Sequence, residues 1–119
     1  MKKNGLRDQR VEFFAETLKA LGYGAQMRIV RLLIQAGPPG MCVTDIQKEI
    51  GGANSTLSHH LDTLARVGLV ITRREAQWIY YGVNYPAIRE LLDFLYEDCR
   101  SRVQPLVALQ RKKSSLGKT

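Results

Sequence analysis

The chain has 119 residues, a formal net charge of +7 and 45% hydrophobic residues, with a pI near 9.7. That length suits one domain with a modest core, too small to cover every apolar helix face, so a second copy is expected to cover the rest. The basic balance favours nucleic acid over membrane as partner, because the longest apolar runs fall far short of a bilayer span. The charged stretch from Met1 to Arg10 lacks the apolar segment of a secretory leader, so a cytoplasmic protein with Cys42 and Cys99 as reduced thiols is expected.

Residues 1–7 read as a flexible start. From residue 8 to 21, Val11, Phe14, Leu18 and Leu21 recur at helical spacing with Glu12, Glu16 and Lys19 off the stripe, which predicts a first amphipathic helix. Gly22-Tyr23-Gly24 breaks it. A second helix is expected from about Ala25 to Gln35, where Ile29, Val30, Leu32, Leu33 and Ile34 imply burial on more than one side, and Gly37-Pro38-Pro39-Gly40 ends it. Met41-Cys42-Val43 reads as a short extended piece. Thr44-Asp45-Ile46-Gln47 has the form of a capping box, so a third helix is expected from about Asp45, with Ile46 and Ile50 on one face and Gly51-Gly52 as its stop.

Asn54 to Val67 then reads as a short amphipathic helix closed by Gly68. Leu57, Leu61 and Leu64 would face a core, while Ser55, Thr56, Ser58, His59 and Asp62 fall on the other faces. A solvated helix face usually carries long Glu and Lys side chains. Here the first two turns carry short hydrogen-bonding ones, which suit close approach to base edges and phosphates. Helix, glycine-containing turn and helix make a helix-turn-helix, with this second helix as the recognition helix.

Leu69 to Thr72 and Trp78 to Val83 are strand-like runs around Arg73-Arg74-Glu75-Ala76-Gln77, a hairpin with a basic tip. A last helix from about Pro86 carries Ile88, Leu92, Leu95, Cys99, Val103 and Leu106 along one stripe, expected to pair with the first helix across a twofold interface. The fold expected is therefore mainly α with a small β-hairpin, a winged helix-turn-helix over residues 8–109 that dimerises through its terminal helices. Residues 110–119 hold Arg111, Lys112, Lys113 and Lys118 without an acid, which reads as a flexible basic tail.

With these residues placed, the chain resembles the ArsR/SmtB family of bacterial winged-helix repressors. The blocks that carry the resemblance are Asn54-Ser55-Thr56-Leu57-Ser58-His59-His60-Leu61 with Leu64-Ala65-Arg66-Val67-Gly68-Leu69-Val70, then Arg73 to Tyr81, then Leu91 to Cys99, the last similar to arsenic-responsive members. The resemblance implies a homodimer that binds operator DNA and releases it when an effector docks. Departures are informative. Gln26 stands where many members have Arg. The family's zinc site on the last helix needs histidines there, but His59 and His60 lie in the recognition helix. Its metalloid sites use a C-x-C pair before the third helix or adjacent cysteines on the last; here Cys42-Val43-Thr44 and Cys99-Arg100 each keep one thiol.

The residues expected on DNA are Asn54, Ser55, Thr56, Ser58 and His59 on the helix and Arg73, Arg74 and Gln77 on the wing. Asn54 reads equally as a helix cap, His60 as a packing residue, and the arginine pair as solvated charge, though on a basic protein phosphate or minor-groove contact is favoured. Cys99 on its stripe reads either as a small buried hydrophobe or as a ligand. Cys42 precedes the Thr44 cap, where the positive end of the third helix favours the thiolate that binds soft As(III). The function expected is a repressor rather than an enzyme, with no permanently bound cofactor. It would bind double-stranded operator DNA and release it when As(III) or a related metalloid meets one or both of Cys42 and Cys99. A thiol-redox repressor and a winged helix that binds only proteins remain the other readings.

Overall fold

A computed structural model describes residues 3–97, with side chains from residue 9 onward. The elements run α1 Lys3–Leu21, α2 Gly24–Ala36, β1 Met41–Cys42, α3 Val43–Ile50, α4 Asn54–Arg66, β2 Val70–Glu75, β3 Trp78–Val83 and α5 Tyr85–Tyr96. This is the winged helix-turn-helix expected from the sequence. The described backbone divides into two units, one up to residue 88 and one from residue 89. Cys99, Val103 and Leu106 of the predicted last-helix stripe and the basic tail fall outside the described residues. Among those described, no helix is long and apolar enough to cross a membrane.

The core of the first unit is aliphatic. Ile29 and Leu33 of α2, Ile46 of α3, Leu61 and Leu64 of α4, and Leu69 are its largest fully buried side chains. Since α2 packs against α1, α3, α4 and β3, its stripe of Gln26, Ile29, Val30 and Leu33 is buried. Ile34 and Met27, on the opposite side, are exposed. The expectation that α2 is buried on more than one side is therefore corrected: its buried residues Gln26, Ile29, Val30 and Leu33 lie along one stripe.

Helix α1 starts at Lys3 rather than near residue 8. Its buried positions are Phe14, Thr17 and Ala20, whereas Val11 and Leu18 of the predicted stripe are exposed. Small Ala20 and Thr17 allow close packing, and Thr17 Oγ1 donates to the Phe13 carbonyl at 3.2 Å, which satisfies the buried hydroxyl within its own helix.

The capping box is also corrected. Met41 and Cys42 are held extended by antiparallel pairing with Tyr81 and Tyr80, so the helix starts directly after them, with Cys42 as its N-cap residue and no side-chain cap. Thr44 lies inside α3. The Gln47 amide donates to the Gly52 carbonyl at the other end of the helix, not back to its start.

Three antiparallel strands form the sheet in the order β1-β3-β2. The wing is tighter than expected. Strand β2 continues through Arg73, Arg74 and Glu75, which face Tyr80, Ile79 and Trp78, and only Ala76 and Gln77 make the loop. Ala76 supplies the positive φ of 57° that the reversal needs. The end of α4 joins this sheet through a two-bond C-terminal cap: Leu69 N–H donates to Leu64 O at 3.0 Å and Gly68 N–H to Ala65 O at 3.1 Å. Leu64 and Leu69 are both fully buried, so the bend that ends the helix also completes the core.

Candidate nucleic-acid interface

Helix α4 owes its position to its leucines and to the turn before it. Leu57, Leu61 and Leu64 are buried, which aims the opposite stripe, Ser55, His59, Asp62 and Arg66, at solvent. Thr56 and Ser58 flank that stripe and are also exposed. Between α3 and α4 the chain reverses through Gly51 and Gly52, at φ 81° and 86°, a left-handed pair that side chains with a Cβ rarely adopt. Ala53, extended and without a side-chain bond, is the N-cap residue. Asn54 is therefore the first helical residue, and the reading of it as the cap is corrected. Its amide is left at the exposed entry of the helix.

The two wing arginines differ. Arg73 Nη2 donates to the Pro39 carbonyl at 2.7 Å, Nη1 donates to Glu75 Oε1 at 2.9 Å, and the guanidinium lies 4.7 Å from the Tyr80 ring centroid. It braces the wing against the loop between α2 and β1 and is not at the tip, as the sequence suggested. Arg74 is exposed in β2 beside Ile79, with no carboxylate partner among the described residues. Gln77 occupies the loop itself, next to half-exposed Trp78.

This contrast predicts different phenotypes. Arg74→Ala is expected to weaken binding to all DNA sequences and to make the slope of log affinity against log salt shallower by about 0.9 per contact, at unchanged melting temperature. Arg73→Ala is expected to lower the melting temperature as well, because it removes the brace. Salt titrations paired with thermal melts separate the two; identical behaviour would remove the distinction.

Gln26 was visible in the sequence only as a departure from the family pattern, although its spacing from Ile29, Val30 and Leu33 already placed it on the buried stripe. It is 5% exposed. Its Nε2 donates to the Ala20 carbonyl at 2.7 Å, which orients the amide so that Oε1 must accept from His60 Nδ1 at 3.0 Å. One buried amide thus ties the end of α1 to the recognition helix, and His60 is the packing residue expected. On the other side of α4, burial and the Asp62 carboxylate raise Tyr81 above the usual phenol range, so it stays a neutral donor at ordinary pH.

Cys42 is half-buried and its thiol donates to Asp45 Oδ2 at 3.5 Å. Among the described residues there is no cluster of three or more His, Cys, Asp or Glu fit to hold a metal ion. Cys99 lies outside those residues.

Residues 23–73 match the family model described as a helix-turn-helix domain. An uncharacterized HTH-type transcriptional regulator of Methanocaldococcus jannaschii is 33% identical over 89 residues, which cover 75% of this chain and 98% of that one. A homolog of the cadmium resistance transcriptional regulatory protein CadC from Staphylococcus aureus is 29% identical over 97 residues, 80% of this chain and 78% of that one. Among solved structures, the homodimeric winged helix-turn-helix DNA-binding domain of a possible ArsR-family transcriptional regulator from Mycobacterium bovis superposes with a TM-score of 0.63 at 26% identity, covering 82% of this chain and 88% of that one.

Proposed function

The chain belongs to the ArsR family of winged helix-turn-helix transcriptional regulators, and from that premise we propose that it is a homodimeric operator-binding repressor that releases DNA when As(III) or a similar thiophilic metalloid binds its cysteines. The observation that carries the DNA reading is the outward face of α4, where Ser55, Thr56, Ser58 and His59 form an exposed set of short donors and acceptors over a leucine core. Such side chains reach base edges without long linkers to order. Asn54 at the helix entry and Arg74 and Gln77 on the wing extend that set to the backbone. Exposed Val11 and Leu18 on α1, with Leu92 and Leu95 on α5, support a second copy as the cover for the terminal helices.

Cys42 supports the effector reading because of what its backbone touches. It is the last residue of β1, the N-cap of α3 and the register partner of Tyr80, whose ring carries the Arg73 brace of the wing. A thiol that gives its proton to a departing hydroxide of arsenite, forming water and an As–S bond, would pull at the joint of the wing and the helix-turn-helix. Cys99 is the second thiol of the proposal. Release follows if the ligand binds the DNA-incompetent shape better than the competent one.

The test is fluorescence anisotropy of the reduced protein on a duplex from its own promoter region, titrated with arsenite. Release near stoichiometric arsenite, lost in Cys42→Ser, is expected. Tight binding that ignores arsenite would overturn the metalloid reading and keep the repressor; a response to peroxide alone would make the thiols a redox pair.

A further inference from the structure

Helix α4 has two flanks, and the wing serves only one. Asp62 lies toward Tyr81 of β3. On the other flank, His60, Thr63 and Val67 line a cleft of about 410 Å³ whose far wall is Glu16, Lys19 and Ala20 of α1 with Tyr23 at the corner before α2. The Gln26 amide, bonded to both Ala20 and His60, fixes the two walls relative to each other. Two cations stand here. Lys19 and Arg66 are both exposed, and neither has a carboxylate partner among the described residues. Tyr23 lines the same cleft and is 64% exposed, its ring centroid 6.1 Å from that of His60.

A helix about 10–12 Å across fills a major groove about 12 Å wide, so it has a phosphate backbone on each side. We infer that this cleft is a phosphodiester site: Lys19 and Arg66 attract, and the Tyr23 hydroxyl donates to, the DNA strand on the flank opposite the wing. His59 lines the cleft and also belongs to the outward stripe of α4, so the site continues the recognition face without a break. Glu16, one turn before Lys19, is the acid of the lining and works against phosphate. The inference rests on the operator-binding reading and adds to it a second backbone contact, sequence-independent, held in place by a buried amide.

The test is Lys19→Gln combined with Arg66→Gln, measured by anisotropy across a salt series on promoter DNA and on a duplex of random sequence. Both substitutions are at exposed positions, and an unchanged melting temperature is expected. The slope of log affinity against log salt should become shallower by about 1.8 for each protomer seated on DNA, about 0.9 per cation, on both duplexes alike. Glu16→Gln should act in the opposite sense and tighten binding several-fold at low salt. An unchanged slope in the double variant, or weaker binding in Glu16→Gln, overturns the inference. If the unaltered protein binds neither duplex, the operator reading falls and takes this site with it; if it binds and Arg74→Ala shifts the slope while Lys19 and Arg66 do not, the cleft alone is wrong.

Discussion

Gly40→Ala is expected to cost about 2–5 kcal/mol of folding stability. A left-handed backbone at a residue with a Cβ costs about 1–2 kcal/mol, and Gly40 sits at φ 80°. Forcing extra atoms into packed structure adds about 1–3 kcal/mol, and the added Cβ would stand 2.6 Å from the Tyr81 carbonyl oxygen and 3.1 Å from its carbon. Both atoms belong to the backbone of β3, so neither can swing away. The relief open to the chain is to move β1 off the sheet, and β1 carries Cys42. Urea unfolding should show a lower midpoint with an unchanged slope, and any cysteine-dependent release of DNA should be blunted in the folded fraction. A midpoint equal to that of the unaltered protein would mean that β1 is not pinned at this turn.

The second large effect is expected at Gln26. Leucine in its place keeps the bulk but leaves the Ala20 carbonyl and the His60 Nδ1–H without their partner, and an orphaned buried polar group costs about 1–3 kcal/mol. His60→Ala alone should cost less, since the ring is only half-buried and water can reach the group it leaves behind. A double-mutant cycle between the two positions should give a coupling of about 1 kcal/mol. Zero coupling would show that the amide and the imidazole do not act as a pair.

Local pattern succeeded where one residue type has one dominant use. The leucine spacing of α4, the glycine stop at Gly68 and the helix-turn-helix order were all legible, and β3 lies where its apolar run placed it. The capping box failed because Thr44 and Gln47 satisfy the motif in sequence while β1 pairing fixes where the helix begins. Asn54 failed as a cap for a related reason. Two consecutive left-handed glycines swing the chain so that Ala53 takes the cap position.

The wing shows the same division. That Arg73 and Arg74 belong to a hairpin could be read from the flanking strands, but adjacent residues in a strand point to opposite faces. Which of the two meets Tyr80 and the Pro39 carbonyl depends on the register of β2 against β3 and on where the loop after α2 passes. The Pro39 contact joins residues 34 positions apart, and no local preference encodes it.

The sequence by itself determined the order of helices and strands, the leucine face of the recognition helix, the basic character of the chain and its family, because each follows from periodicity, composition or contiguous blocks. Tertiary structure alone decided that Arg73 braces the wing while Arg74 has no carboxylate partner among the described residues, that Cys42 joins the wing to the third helix, and that Gln26 latches α1 to the recognition helix beside a cleft with two cations. The physical reason is that hydrogen bonds and charges act through space at a few ångströms, whereas periodicity reports only which way each residue faces along its own element.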